Sequence, residues 1–152
     1  MTRHVVRGDL IQLALEGKFD VIVHGANCFC VMGAGIAKCI ADTFPYAYAA
    51  DMHTVVGDRA KLGKFSSAQV YIESGSIEVC NAYTQYTPGA VDKSKQLKWI
   101  SQAFAAISHA FPGATIAYPK IGAGIANGDW SKIYPVICKA LKNHDHYLVL
   151  KE

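Results

Sequence analysis

Apolar positions along the chain fall into two kinds of block. Short blocks that are apolar on both faces fit strands covered by helices on either side. Longer blocks with apolar residues three and four apart fit the covering helices. The cleanest short block is Asp20-Val21-Ile22-Val23-His24, which runs into Gly25-Ala26-Asn27 and reads as the central strand. Val5-Val6 reads as a first strand, Ala114-Thr115-Ile116-Ala117-Tyr118 as another buried one, and Tyr147-Leu148-Val149-Leu150 as the last. Runs at 68–72 and 77–83, joined across Glu73-Ser74-Gly75-Ser76, predict an antiparallel hairpin.

Between these blocks the period lengthens. A short helix is predicted over 10–15 with Asp9 as its N-cap. Ile36, Cys39, Ile40, Thr43 and Phe44 recur at helical spacing until Pro45, and a second helical stretch covers 46–55. Leu97, Ile100, Phe104, Ile107 and Ala110 share one face of a helix over 95–111 that Pro112-Gly113 ends. Trp130, Ile133, Ile137 and Leu141 mark a helix over 130–142, and 57–63 reads as a charged loop. Hairpin and crossover connections together predict an α/β fold with a mixed sheet. No linker composition divides it, so residues 1–152 read as one domain.

Composition narrows the partners. With 51% hydrophobic and 18% charged residues the chain is not disordered, and no apolar run reaches membrane-span length. The start, Met1-Thr2-Arg3-His4, leads directly into a strand, so a soluble cytoplasmic protein is expected. Five cysteines without a Cys-x-x-Cys pair argue against disulfides and zinc, and most are expected to act as small core residues. His144-Asp145-His146 reads as a solvated turn rather than a metal site, and no cofactor is expected. Lys61, Lys64, Lys93, Lys95 and Lys98 read as solvated faces. The net charge of +3 is scattered, without the basic stripe of a nucleic-acid groove, so a small anion suits it better than a polyanion.

The candidate chemistry lies in a repeated pentapeptide, Gly33-Ala34-Gly35-Ile36-Ala37 and Gly122-Ala123-Gly124-Ile125-Ala126, each between a strand-like and a helix-like block. Glycines permit positive φ and close approach of a ligand, and helix-start amides suit phosphate, so the two loops read as similar backbone demands forming a clamp. Neither copy completes Gly-x-Gly-x-x-Gly, because Lys38 and Asn127 hold the third position, and neither ends in the Gly-Lys-Ser/Thr of a P-loop. His24 and Asn27 stand at the end of the central strand, where open α/β sheets bind ligands. The alternative for them is a satisfied core histidine and a turn asparagine. Asp9 and Asp129 both read as helix N-caps, and Asp129 has a second reading as a base near a bound anion.

Val-Ile-Val-His-Gly-Ala-Asn-Cys at 21–28, Met-Gly-Ala-Gly-Ile-Ala at 32–37 with Phe44-Pro45, and Tyr-Pro-Lys-Ile-Gly-Ala-Gly-Ile-Ala-Asn-Gly-Asp-Trp at 118–130 together resemble a macro domain. The closer likeness is to the ADP-ribose 1″-phosphate phosphatase-like branch. The resemblance implies a three-layer α/β/α sandwich binding ADP-ribose at the strand ends. It implies that Asp9, followed by Leu10, meets the adenine amino group. Gly33, Ala34, Gly35 and Ile36 would wrap the pyrophosphate from one side, and Gly122 to Ala126 from the other. Asn27 would face the distal ribose. His24 and Asp129 would serve as catalytic residues in releasing phosphate from ADP-ribose 1″-phosphate without a metal. A related branch uses a lysine in the strand after the hairpin and an aspartate just after the second glycine loop; here 82–86 has no lysine and Ala126 stands near the aspartate's place. The implied alternatives are a non-catalytic ADP-ribose reader and a hydrolase acting on ADP-ribosylated protein or nucleic acid, with a nucleic-acid-binding module further off.

Overall fold

The computed structural model describes residues 2–89, 91, 93–123 and 128–152. Six strands form one sheet in the order β1-β6-β5-β2-β4-β3. In chain order they are β1 (Arg3–Arg7), β2 (Val21–Asn27), β3 (Phe65–Ile72), β4 (Gly75–Gln85), β5 (Ile116–Tyr118) and β6 (His146–Leu150). The helices are α1 (Leu10–Leu15), α2 (Gly35–Thr43), α3 (Pro45–Met52), α4 (Lys93–Ala110) and α5 (Trp130–Ala140). β2 is central, parallel to β4 on one side and to β5 on the other, and β3 joins β4 as the antiparallel hairpin the turn residues predict. The mixed sheet and the α/β sandwich therefore stand as expected.

Strand pleating divides the core in two. Val21 and Val23 face α4 and α5 with Ile100, Phe104, Ile133 and Ile137, while Ile22 faces the other layer with Leu10, Ile40 and Phe44. Pro45 opens α3 directly after α2, where its missing N–H is no loss. Among the described residues no helix is long and apolar enough to cross a membrane.

Several polar groups lie deeper than their sequence surroundings predict. The 57–63 segment contains a short 3-10 helix, Arg59–Lys61, capped by Asp58. Lys61 is buried rather than solvated: Nζ donates to Thr54 Oγ1 at 2.8 Å and lies 5.1 Å from the Tyr83 ring centre. His144 and His146 are also buried, not a solvated turn; His144 contacts Ser108 Oγ and the Ala114 carbonyl, and His146 contacts the Tyr118 hydroxyl. Cys28, Cys30 and Cys80 are buried as expected, whereas Cys39 is exposed on α2 and Cys138 is half-buried.

Candidate functional site

Two cavities open beside the loops at the carboxyl ends of the parallel strands. One, of about 700 Å³, is lined by Asp9, Leu10, Gly35, Ile36, Cys39, Pro119, Lys120 and Ala123, with Arg7 and Lys151 at its rim. The other, of about 570 Å³, is lined by Gly25, Asn27, Gly33, Ala34, Gly35, Ile36, Gln85, Lys120 and Gly122. Gly35, Ile36, Pro119 and Lys120 border both, so the cavities are two lobes of one cleft. Each volume falls within the range of small-molecule sites.

The start of α2 lies at the join. Ala34 is its N-cap residue and supplies no side-chain acceptor, and the first turn holds no acidic residue. The leading amides of α2 therefore lack the partner that Asp9 gives α1 and Asp129 gives α5. Gly35 is left-handed at φ +58°, and a Cβ at Gly33 or Gly35 would meet nothing within 4 Å. Glycine here leaves room at the cavity wall.

The second pentapeptide is built differently, which corrects the expectation of similar backbone demands. Gly122 is left-handed at φ +77°, yet a Cβ on it would come within 2.5 Å of Gln96 Nε2. Gly33 needs no positive φ and has open space, whereas Gly122 needs both its φ and its lack of a side chain. Gly124, Ile125 and Ala126 lie outside the described residues.

Asp9 combines its two readings. The Ile11 and Gln12 amides donate to its Oδ1 at 2.9 and 3.1 Å, capping α1, while the residue lines the larger lobe. Asn27 lines the smaller lobe, but its side chain braces its own loop: Nδ2 donates to the Val31 carbonyl at 2.9 Å, and Oδ1 accepts from the Phe29 amide at 2.9 Å. The braced turn carries Cys30 at φ +58°.

His24 is not a cleft residue. Its side chain is fully buried beneath α3, where Nε2 donates to Asn81 Oδ1 at 2.6 Å. Asn81 in turn donates to the Ala47 carbonyl and Ser66 Oγ, Ser66 meets the Tyr83 hydroxyl, and that hydroxyl donates to Asp51. Burial holds the imidazole below its ordinary pKa, the Asn81 bond opposing that effect, so His24 is a neutral core histidine. Asp129 is equally displaced from the chemistry assigned to it. It is exposed at the N-terminus of α5, where Oδ1 accepts from the Ser131 amide at 3.0 Å and hydroxyl at 2.7 Å, and it lines neither lobe. The Ser131 bonds, aided by Lys132 and Lys93, hold its carboxyl below the usual range, which weakens it as a base.

Sequence reasoning passed over Lys120 and Gln85. Among the described residues Lys120 is the cation that borders both lobes, two positions past the end of β5, a position its place in Tyr-Pro-Lys-Ile-Gly made available. Gln85 ends β4 and donates through Nε2 to the Thr87 and Gly89 carbonyls, shaping the wall to which Pro88 and Gly89 belong. Among the described residues no cluster of three metal-ligating side chains occurs.

Comparison with known proteins places this cleft in a family context. The macro domain model matches residues 23–137. An uncharacterized 17.5 kDa protein from the tk-vs intergenic region of enterobacteria phage T4 is 34% identical over 134 residues, covering 87% of this chain and 85% of the phage protein. The macrodomain of Mycobacterium tuberculosis DarG shares the fold with a TM-score of 0.77 at 20% identity, covering 98% of this chain and 97% of its own. Thermosipho africanus DarTG, solved in complex with ADP-ribose, matches 97% of this chain over 42% of its own, with a TM-score of 0.64 at 18% identity. The family match spans most of the chain and the fold agrees with it: the chain belongs to the macro domain family.

Proposed function

We propose that this macro domain binds ADP-ribose along the cleft and takes ADP-ribose 1″-phosphate as a substrate. Adenosine occupies the Asp9 lobe, the pyrophosphate lies over the start of α2, and the distal ribose with its phosphate enters the Asn27 lobe. The observation that carries the reading is the uncapped α2 N-terminus at the join of the two lobes, an amide array suited to phosphate and flanked by Lys120. The ADP-ribose complex of Thermosipho DarTG, a protein of similar fold, supports the same ligand.

The smaller lobe favours a phosphate substituent. Among the described residues it presents Asn27, Gln85 and Lys120 and no carboxylate, so a dianion meets no like charge there. Water attacks phosphorus and the P–O bond to the ribose breaks; the ribose oxygen takes a proton from solvent. Loop amides and Lys120 stabilise the phosphoryl oxygens, so positioning and charge do most of the catalysis. His24 and Asp129 are given no part in this step, the first being buried under α3 and the second capping α5 outside both lobes.

Calorimetry with ADP-ribose, followed by ADP-ribose 1″-phosphate and ADP-ribosylated protein supplied side by side, tests this. Micromolar binding and phosphate release are expected. Binding without release of either product leaves a reader, release of ADP-ribose from protein moves the chemistry to the glycosidic bond, and no binding removes the proposal.

A further inference from the structure

Gln96 stands in the first turn of α4, away from every sequence motif, and is 1% exposed. Its Nε2 donates to the Gly122 carbonyl at 3.3 Å, and the Gly128 amide donates to the same carbonyl at 2.6 Å. Both glycines are shaped to this side chain. A Cβ at Gly122 would lie 2.5 Å from Gln96 Nε2, and one at Gly128 would lie 2.5 Å from Gln96 Oε1 and 2.4 Å from the Gly122 carbonyl oxygen. The carboxamide therefore lies across both glycines, with its donor on a carbonyl whose residue lines the smaller lobe.

We propose that Gln96 is a positioning residue for ligand binding: it fixes the Gly122 peptide, and with it the adjoining Ala123, in the orientation that the cleft presents. This rests on the ADP-ribose reading above. A buried amide donor is costly to leave unpaired, so Gln96 Nε2 and the Gly122 carbonyl hold one another in place. Replacing the donor while keeping the bulk leaves the Gly122 carbonyl on the Gly128 amide alone, so the peptide is held less firmly and the ligand must order it on binding.

The test uses the whole chain and ADP-ribose itself. Gln96→Met keeps the volume and removes both polar atoms; a loss of about tenfold or more in affinity by calorimetry is expected, with the protein folded by thermal melting. Gln96→Glu supplies a sharper readout. Ionised, its carboxylate opposes the Gly122 carbonyl; protonated, its O–H restores the donor, and burial raises the pKa at which this happens. Relative to the wild type at each pH, its affinity is expected to be poor at about pH 8 and to recover toward about pH 5. Gly128→Ala, whose Cβ crowds both the Gly122 carbonyl oxygen and the carboxamide, is expected to lose affinity at least as much as Gln96→Met. If the wild type binds and Gln96→Met stays within about twofold of it, or if the Gln96→Glu deficit is independent of pH, the inference fails. A wild type that does not bind ADP-ribose overturns the earlier reading instead.

Discussion

The carboxylate of Asp9 receives the Ile11 and Gln12 amides on one oxygen, which leaves the other for a donor on the ligand. Cap and contact can therefore be separated by substitution. Asp9→Ala is expected to lower unfolding free energy by about 1 kcal/mol through the lost cap, whereas Asp9→Ser keeps an acceptor and stays within about 0.5 kcal/mol. Both should weaken ADP-ribose binding about tenfold in calorimetry. Full affinity in the serine variant would remove Asp9 from the site. His24 shows the opposite relation between residue and motif. It stands within the stretch that carries the family resemblance, yet it lies inward of the strand end, under α3, and its partner Asn81 comes from β4. That partner was illegible because nothing local in Asn81 announces a bond to a residue 57 positions away. Lys120 was legible in principle, since it lies two positions past a buried strand, but one lysine among scattered ones carries no mark until the cleft exists.

Helix capping sets α2, whose start borders the cleft, apart from α1 and α5. α1 and α5 begin on aspartates whose side chains satisfy their first amides, while α2 begins on Ala34 with none. Ala34→Asp should therefore stabilise the protein and impair it together. A gain of about 1 kcal/mol in urea unfolding is expected from the new cap. A loss of more than about tenfold in ADP-ribose affinity is expected as the carboxylate competes for the amides and repels the pyrophosphate. Unchanged affinity would mean that these amides do not meet the ligand. The elements themselves were largely readable: runs apolar on both faces located β2 and β5, the 3.6-residue period located α4 and α5, and Glu73-Ser74-Gly75-Ser76 marked the hairpin. The 3-10 helix at Arg59–Lys61 was not readable, because three residues give no period, and Lys61 is buried by Thr54 and Tyr83 rather than by any pattern of its own.

At the scale of the molecule, a layered fold around one sheet carries buried histidines on two separate strands. Burial holds both His24 and His146 below their ordinary pKa, with Asn81 opposing the shift at His24 and the Arg3 charge adding to it at His146. Above about pH 6.5 both folded and unfolded chains keep them neutral. As pH falls through that value the unfolded chain takes up protons that the folded chain refuses, so stability drops. Urea titrations between about pH 7.5 and 5 should show this fall, with a smaller slope in His24→Gln. Asp129 and Asp145, whose pKa values are lowered, act in a separate window, losing their contribution only as pH nears the ordinary carboxylate range. A flat profile over the histidine window would contradict burial of neutral imidazoles. The two Gly-Ala-Gly-Ile-Ala segments occupy this fold under unlike constraints, and that has a consequence for descent. Gly33 is held by nothing in the protein, whereas Gly122 is held by Gln96 and its own backbone. In a lineage that ceased to use its ligand, selection on the first glycine would lapse while the second stayed under selection for folding. The paired motif would then erode from one end, leaving half of it as a fossil of the binding site.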